Sequence, residues 1–340
     1  MYSKVFLFIL LILAFAACEP TQQKTDREIT IKIPSFFPKI KFPENNLPTT
    51  LRIELGRRLF YEKKLSANET MSCGSCHVTS MALTDGKKVS EGAHGKKGRR
   101  NVPTLANLAW MPRFMMEGGV PSLELQVLAP VQDSIEMDLP LHKAAERLKS
   151  IKKYNDLSIA AYGKEIDENV IMRSLANFQR TFVSADSRFD RWYYYKDSTQ
   201  FNESEKRGKE FFFSEQAACM KCHSLPFFTD FEYYNIGLYK RYADNGKERI
   251  TFKKEDIGKF KTPTLRNIEL TSPYMHDGSI NTLEEVIEMY NKGGEGHENQ
   301  DFRVRPMNWS KQDKEDLLAF LKTLTDWNFV QNQSFLPLSE

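Results

Sequence analysis

Two short stretches decide the fold of this 340-residue chain: Cys73-Gly74-Ser75-Cys76-His77 and Cys219-Met220-Lys221-Cys222-His223. In each C-x-x-C-H the two thiols lie one helical turn apart, so both can form thioethers with the vinyl groups of one haem while the adjacent histidine ligates the iron. The motifs use four of the five cysteines. The alternatives are two disulfides or one zinc site, but zinc does not require a histidine directly after both second cysteines. The sequence therefore predicts two covalently bound haem c groups, with His77 and His223 as proximal iron ligands.

The first residues indicate export. Lys4 precedes a short apolar run whose small residues end at Cys18. The run is too short to span a bilayer comfortably and is typical of a secretory signal. We interpret residues 1–17 as a signal peptide and Cys18 as the lipidated first residue of a lipoprotein; the alternative is an ordinary signal peptide with a spare thiol. We expect the protein on the periplasmic side of the cell envelope, with membrane contact through a lipid anchor only.

Length and composition limit the number of domains and the classes of partner. The roughly 320 mature residues are enough for about two domains. The net charge of +3 is close to neutral, so we expect no nucleic-acid partner. Residues 18–50 are polar and rich in proline, which predicts a tether and lead-in, with one short strand over Glu28–Ile33. The charge run Lys96, Lys97, Arg99 and Arg100 is typical of a solvated face that could also dock a partner.

Apolar residues at helical spacing predict a mainly α fold with little strand. Ser204 is predicted to cap a helix that runs into Phe213. Ser310 and Asp313 form a capping box before the last helix. The other predicted helices include Thr50–Tyr61, Leu123–Leu128, Leu139–Ile151, a stretch around Leu175, and Thr282–Asn291.

The chain also contains an internal repeat. Pro103-Thr-Leu-Ala-Asn107 matches Pro263-Thr-Leu-Arg-Asn267, and Phe114–Gly118 matches Tyr274–Gly278, both at an offset of 160 residues. Each copy follows a C-x-x-C-H, as expected for a repeated structural unit. We therefore predict two tandem cytochrome c-like haem domains related by internal duplication, over residues 51–200 and 201–335.

On these residues the chain resembles the bacterial di-haem cytochrome c peroxidases and their relatives that mature methylamine dehydrogenase. The resemblance runs from about Leu55 to Leu324. It rests on both haem motifs and on Leu55-Gly-Arg-Arg-Leu-Phe60, Arg100-Asn-Val-Pro-Thr-Leu105, Pro130, Glu136-Met137, Phe189-Asp-Arg191 and Pro263-Thr-Leu-Arg-Asn267 through Gly278. It implies that the haem on His77 reduces peroxide and that electrons enter through the haem on His223.

The resemblance also implies a distal pocket for the first haem, formed by Gln126, Pro130 and Glu136. A carboxylate there can accept a proton from the inner peroxide oxygen and return it to the outer one, which is general acid–base catalysis. Gln126 would hydrogen-bond the peroxide. The alternative for Glu136 is a surface residue. His94 is the candidate for the mobile-loop histidine that caps the first iron in the resting peroxidases, or else it is a solvated loop histidine.

The sequence departs from the family pattern in two places. Met116 stands where the family has a tryptophan between the haems, and Trp110 is near but not at the matching position. The resemblance places Tyr290, rather than the usual methionine, as distal ligand of the second haem. Tyr290 shares a helical face with Ile287, whereas Met289 is rotated by about 100°. Met289 and Met307 remain alternative ligands, and Tyr290 as a plain core residue is a third interpretation.

The family holds a calcium ion between the haem domains, and Asn101, Thr271 and Pro273 match its protein ligands, the last two through backbone carbonyls. Hard oxygen donors of this kind suit calcium.

We therefore expect a peroxidase that reduces hydrogen peroxide with electrons from a small donor protein such as cytochrome c. The alternatives are a di-haem oxidoreductase that oxidises a protein or organic substrate, and a non-enzymatic electron-transfer or sensor cytochrome. A second copy of the chain, as a homodimer, is also among the candidate partners.

Overall fold

The computed structural model describes residues 26–338, so the predicted signal peptide and Cys18 lie outside the described residues. The fold is mainly α, as predicted. The α-helices are α1 (Thr50–Phe60), α2 (Cys73–Cys76), α3 (Leu123–Gln126), α4 (Leu128–Gln132), α5 (Leu141–Lys149), α6 (Lys152–Tyr162), α7 (Glu168–Gln179), α8 (Arg188–Tyr193), α9 (Glu203–Phe213), α10 (Glu248–Thr251), α11 (Leu283–Lys292), α12 (Lys311–Lys322) and α13 (Trp327–Val330). None of the helices within 26–338 is long and apolar enough to cross a membrane.

Short 3-10 turns connect these helices, and two strands form a small hairpin. The turns cover Glu44–Asn46, Lys63–Leu65, Thr79–Met81, Leu108–Trp110, Ser198–Gln200, Cys219–Lys221, Lys254–Asp256, Ile268–Leu270 and Gln333–Phe335. Strand β1 (Tyr233–Tyr234) pairs antiparallel with β2 (Phe260–Lys261). The strand predicted over Glu28–Ile33 was wrong, because this segment finds only a single bridging partner, between Glu28 and Thr49.

The capping prediction at Ser204 was also wrong, whereas the capping box of Ser310 and Asp313 is confirmed. Asn202 caps α9: its side chain accepts from the Glu205 N–H, and the Glu205 carboxylate accepts from the Asn202 N–H, both at 2.9 Å. This reciprocal pair satisfies two N–H groups that the helix leaves without partners. The Ser204 hydroxyl instead donates to Asp316 at 2.5 Å and ties α9 to α12.

Each half is built on one pair of closely packed helices, α1 with α7 and α9 with α12. Glycine permits both contacts. A Cβ atom on Gly56 would lie 2.0 Å from the Ser174 carbonyl oxygen, and one on Gly208 would lie 1.8 Å from that of Asp316. Both distances are far below van der Waals contact, so the two backbones can approach this closely only at a residue without a side chain.

Two hydrophobic cores correspond to the two halves, but segments cross between them. The first core includes Leu55, Phe60 and Phe178, and the second includes Phe212 and Phe320. From beyond α12, the chain returns to fill the first core with Phe329, Val330 and Phe335. Phe189 and Trp192–Tyr194 pack with the second core, although they precede residue 201. Burial of each large apolar side chain contributes roughly 1.5–3 kcal/mol, so these segments bind the halves together.

The two halves repeat several local conformations. Asn107 and Asn267 have φ angles of 61° and 63°, and each begins a three-residue 3-10 turn. An isolated bridge between Phe114 and Val120 has its counterpart between Tyr274 and Ile280. These conformations fall on the residues that match at an offset of 160.

Candidate haem sites

The two proximal histidines sit in matching hydrogen-bond environments. His77 Nδ1 lies 2.8 Å from the Leu83 carbonyl oxygen, and His223 Nδ1 lies 3.1 Å from that of Phe228. A carbonyl can only accept, so Nδ1 carries the proton and Nε2 is left with its lone pair, as an iron ligand requires. Burial lowers the pKa of both imidazoles, which favours the neutral form that can bind iron.

The repeated Pro-Thr-Leu stretches hold the loops that supply these carbonyls. The Thr104 hydroxyl donates to the Ala82 carbonyl, and the Thr264 hydroxyl donates to the Phe227 carbonyl, each at 2.6 Å. Ala82 directly precedes Leu83, and Phe227 directly precedes Phe228, whose carbonyls accept from the two proximal histidines. The repeat therefore has a physical role, which is to fix the orientation of the proximal imidazole.

The four motif cysteines fit haem attachment better than the two alternatives. All four are free, so neither motif forms a disulfide. Burial raises the pKa of Cys73 and Cys219 to about 12 and that of Cys222 to about 11. No group of three or more histidine, cysteine or acidic side chains suited to a metal ion occurs in the part of the chain from 26 to 338.

Glu136 lies beside the first haem motif. Its negative charge acts on the Cys73 and Cys76 thiols, whose pKa values are raised mainly by burial and further by this carboxylate. Burial, and to a smaller extent Asp133, raises the pKa of Glu136 itself. A carboxyl group with a raised pKa is suited to accepting a proton and giving it back near neutral pH.

The backbone brings the three predicted distal residues into one region. Gln126 ends α3 and Pro130 lies in α4, and Val127 between them keeps helical angles, so they are one turn apart and both half-buried. The following turn folds back, and the Met137 N–H donates to the Pro130 carbonyl at 3.1 Å. This bond places Glu136 next to α4.

His94 lies beside this region but pairs with another side chain. The Ala93 N–H donates to the Glu136 carbonyl at 2.7 Å, which holds the glycine-rich loop against the distal turn. The His94 Nε2 atom lies 3.2 Å from Asp138 Oδ2, with the imidazole 44% exposed. Its role as a ligand of the first iron stays a prediction.

Tyr290 lies beside the second motif. It packs against the second core with Val286 and Met307. Its pKa is raised, mainly by burial and further by the nearby Cys222 and Cys219 thiols. The phenol is therefore neutral as it stands, and iron binding would require loss of its proton. The placement agrees with the helical-face argument, and Tyr290 as a ligand stays a prediction, with Met289 and Met307 as alternatives.

The predicted calcium ligands are linked across the two halves. The Asn101 N–H donates to the His276 carbonyl at 2.9 Å, which joins Asn101 to the segment that contains Thr271 and Pro273. The Asn101 side-chain amide donates to the Lys87 carbonyl at 2.8 Å, so its Oδ1 is the atom that can bind a cation. Oxygen donors of this kind fit calcium, and the calcium site itself stays a prediction.

Sequence reasoning missed an ion-pair network between the halves. Arg100 was expected on a solvated face, but its side chain is only 16% exposed. It donates to Glu117 at 2.5 Å and to Asp244 at 2.6 Å. Asp244 is 144 residues away along the chain. Local patterns therefore contained no signal for this pair, because it depends on how the halves pack.

The structure also shows where Trp110 lies and which aromatic residue packs near Met116. Trp110 packs against Phe37 and Phe227, and its indole N–H donates to the Pro38 carbonyl at 2.7 Å. The aromatic residue that packs on the Met116–Gly118 turn is Tyr233, from the other half. A Cβ atom on Gly118 would lie 1.9 Å from the Tyr233 oxygen.

A mainly helical chain with two C-x-x-C-H motifs and neutral proximal histidines is a di-haem c-type cytochrome. The sequence model described as di-haem cytochrome c peroxidase matches residues 50–198. Methylamine utilization protein MauG of Methylorubrum extorquens is 36% identical over 291 residues, covering 84% of this chain and 81% of that protein. Cytochrome c551 peroxidase of Nitrosomonas europaea is 33% identical over 278 residues, covering 80% and 79% respectively.

Two solved structures have a similar fold. A MauG-like protein associated with microbial copper homeostasis has a TM-score of 0.85 at 34% identity, covering 91% of this chain and 99% of its own. The diheme peroxidase BthA of Burkholderia thailandensis shares the fold, with a TM-score of 0.75 at 22% identity over 87% of this chain and 91% of its own. The chain belongs to the di-haem cytochrome c peroxidase family. It is therefore an oxidoreductase of the haem peroxidase type, and the family implies two haem c groups.

Proposed function

We propose that the protein reduces hydrogen peroxide to two waters, taking two electrons from a small redox protein such as cytochrome c and two protons from water. The observation that carries this proposal is Glu136, a half-buried carboxylate with a raised pKa beside both thiols of the first haem motif. Relatives named cytochrome c peroxidase, including that of Nitrosomonas europaea, support it.

When bound, the first haem supplies the iron at which the peroxide O–O bond is cleaved. Glu136 accepts the proton of the inner peroxide oxygen and returns it to the outer oxygen, which leaves as water. Gln126 orients the peroxide by a hydrogen bond, and Pro130 shapes the wall of the pocket. His77 would bind the iron through Nε2, because the Leu83 carbonyl accepts from Nδ1–H. His94 would be the ligand of this iron in the resting protein, and its imidazole would have to separate from Asp138 to bind there.

His223 and Tyr290 would hold the second haem, which would supply the site of electron entry. A phenolate is a hard anionic ligand and stabilises ferric iron. This ligand favours a second candidate function, in which the two haems store oxidising equivalents and oxidise a protein or organic substrate. The resemblance to MauG of Methylorubrum extorquens supports this candidate as well.

Three further features belong to the same proposal. The matching turns and histidine environments of the two halves support an origin by internal duplication. Calcium bound by Asn101, Thr271 and Pro273 would join the halves, and a chelator should then weaken their contact. Lipidation at Cys18 would hold the protein on the periplasmic side of the envelope; palmitate labelling that is lost in Cys18→Ser would test it.

The decisive experiment is steady-state peroxide reduction by the di-haem protein with reduced cytochrome c as donor. Glu136→Gln should lower turnover by about 100- to 10,000-fold with both haems retained, because a neutral amide cannot shuttle the proton. Asp133→Asn is the matched control: it removes an exposed carboxylate from the same turn and should leave turnover within a few-fold of the original. Near-normal turnover in Glu136→Gln would show that another group moves the proton.

A further inference from the structure

The proximal loop of the second haem is held by a buried ion pair. Arg266 is 1% exposed and Asp190 is fully buried. The guanidinium donates two parallel hydrogen bonds to the carboxylate, from Nη1 to Oδ2 at 2.8 Å and from Nη2 to Oδ1 at 2.9 Å. Such a fork fixes the plane of the guanidinium as well as its position. Asp190 is itself anchored, since the Ser187 N–H and hydroxyl donate to it at 2.9 and 2.7 Å.

The remaining donors of Arg266 point at one backbone carbonyl. Its Nε and Nη2 atoms lie 3.0 and 2.7 Å from the Pro226 oxygen. The next two carbonyls are also engaged, Phe227 by the Thr264 hydroxyl and Phe228 by His223 Nδ1. Three consecutive carbonyls therefore accept from three different side chains, and the last of these side chains is the proximal histidine.

The first half has no arginine at the position equivalent to Arg266. Ala106 occupies the position 160 residues before Arg266, and its side chain has no hydrogen-bond donor. The carbonyl two residues before the histidine's acceptor is that of Met81, and it is satisfied locally by the Thr84 N–H at 3.1 Å and the Thr84 hydroxyl at 2.8 Å. The two proximal loops thus differ in the side chains that hold them and in their link to the rest of the fold.

We infer that Arg266, held by Asp190, is a positioning residue for His223 that sets the redox properties of the second haem apart from those of the first. The Phe228 carbonyl accepts a hydrogen bond from His223 Nδ1–H, and this bond makes the imidazole a stronger donor to iron. A stronger donor stabilises ferric iron and lowers the reduction potential. By locking the Pro226–Phe228 loop, Arg266 holds the Phe228 carbonyl in position to accept this hydrogen bond, at 3.1 Å. The inference rests on the proposed binding of the second haem at His223.

The test compares the midpoint potentials of the two haems in Arg266→Gln and Arg266→Lys by spectroelectrochemistry, with EPR of the ferric protein. The amide loses the fork and leaves the Asp190 charge unpaired, so a purely electrostatic role would lower the potential of the second haem. The positioning role predicts the opposite, a rise, because the loop relaxes and the histidine bond weakens. Arg266→Lys keeps the charge but not the fork, so it too should raise that potential, whereas a charge effect alone would leave it unchanged.

The first haem is the internal reference and should keep its potential in both variants. Arg207→Gln is the matched control, since it breaks another two-bond pair in the same half, with Asp316 at 2.7 and 2.9 Å, away from the proximal loop. It should move neither potential. A fall, no change, or an equal shift of both haems in the Arg266 variants would overturn the inference. If Arg266→Gln does not fold, Arg266→Lys decides alone. Mass spectrometry that shows fewer than two haems in the unmodified protein would instead reject the proposed function.

Discussion

Phe335 offers a direct test of how the two halves are joined. It comes after every helix of the second half, yet its ring is 3% exposed within the first core. It lies 5.0 Å from the ring of Phe182 and 5.4 Å from that of Phe329, both in edge-to-face geometry. The Tyr61 hydroxyl donates to its carbonyl at 2.5 Å. We predict that Phe335→Ala destabilises the first half from a position at the far end of the chain.

The magnitude follows from the burial. Truncation of a core phenylalanine to alanine costs about 3–5 kcal/mol through lost transfer energy and the cavity that remains. The two aromatic contacts place Phe335 inside this range, since each contributes about 0.5–1.5 kcal/mol beyond its buried area. The free energy of unfolding should therefore fall by about 3–5 kcal/mol.

The assay is urea unfolding of the di-haem protein, followed by far-UV circular dichroism and by haem absorbance. Phe302→Ala is the matched control, because Phe302 is 85% exposed and its loss should change the free energy of unfolding by less than about 0.5 kcal/mol. If Phe335→Ala is as stable as this control, the C-terminal segment does not hold the first core, and the account of two interlocked halves fails.

Three other predictions concern the haems. Mass spectrometry of protein from a host that matures c-type cytochromes should show two covalent haems per chain, and one haem would contradict the paired-motif interpretation. Tyr290→Phe should alter the absorption and EPR signals of the second haem while Met289→Leu leaves them unchanged; the reverse pattern would assign a methionine ligand. Peroxide turnover should fall when the pH is lowered and Glu136 becomes protonated. Because the pKa of Glu136 is raised, this fall should occur at a higher pH than for a glutamate with an ordinary pKa. The same raised pKa means that folding favours protonated Glu136, so its contribution to stability is present at low pH and is lost as the pH rises through the folded-state pKa. If the pH dependence of turnover is the same in Asp133→Asn and Glu136→Gln, the loss of turnover at low pH does not come from Glu136.

The local features of this protein could be predicted from its sequence. Haem attachment depends on two thiols and a histidine within five consecutive residues, and helices depend on neighbours three and four positions apart. For this reason the mainly α fold and the Ser310 capping box were predicted correctly. The N-cap of α9 was not, although Asn202 and Glu205 form a local capping box of the same kind; Ser204 lies inside α9 and donates to Asp316 in another helix.

Only the tertiary structure decided the features that join distant residues. The ion pair of Asp190 with Arg266 spans 76 positions, and that of Arg100 with Asp244 spans 144. Such pairs form when packing excludes water and brings two charges together, and no periodic pattern along the chain encodes that meeting. The same holds for Phe335, whose apolar ring marks it for burial but does not specify the core. The sequence by itself thus identified the groups predicted to bind haem, whereas the packing of the two halves determined how differently the two proximal histidine loops are held.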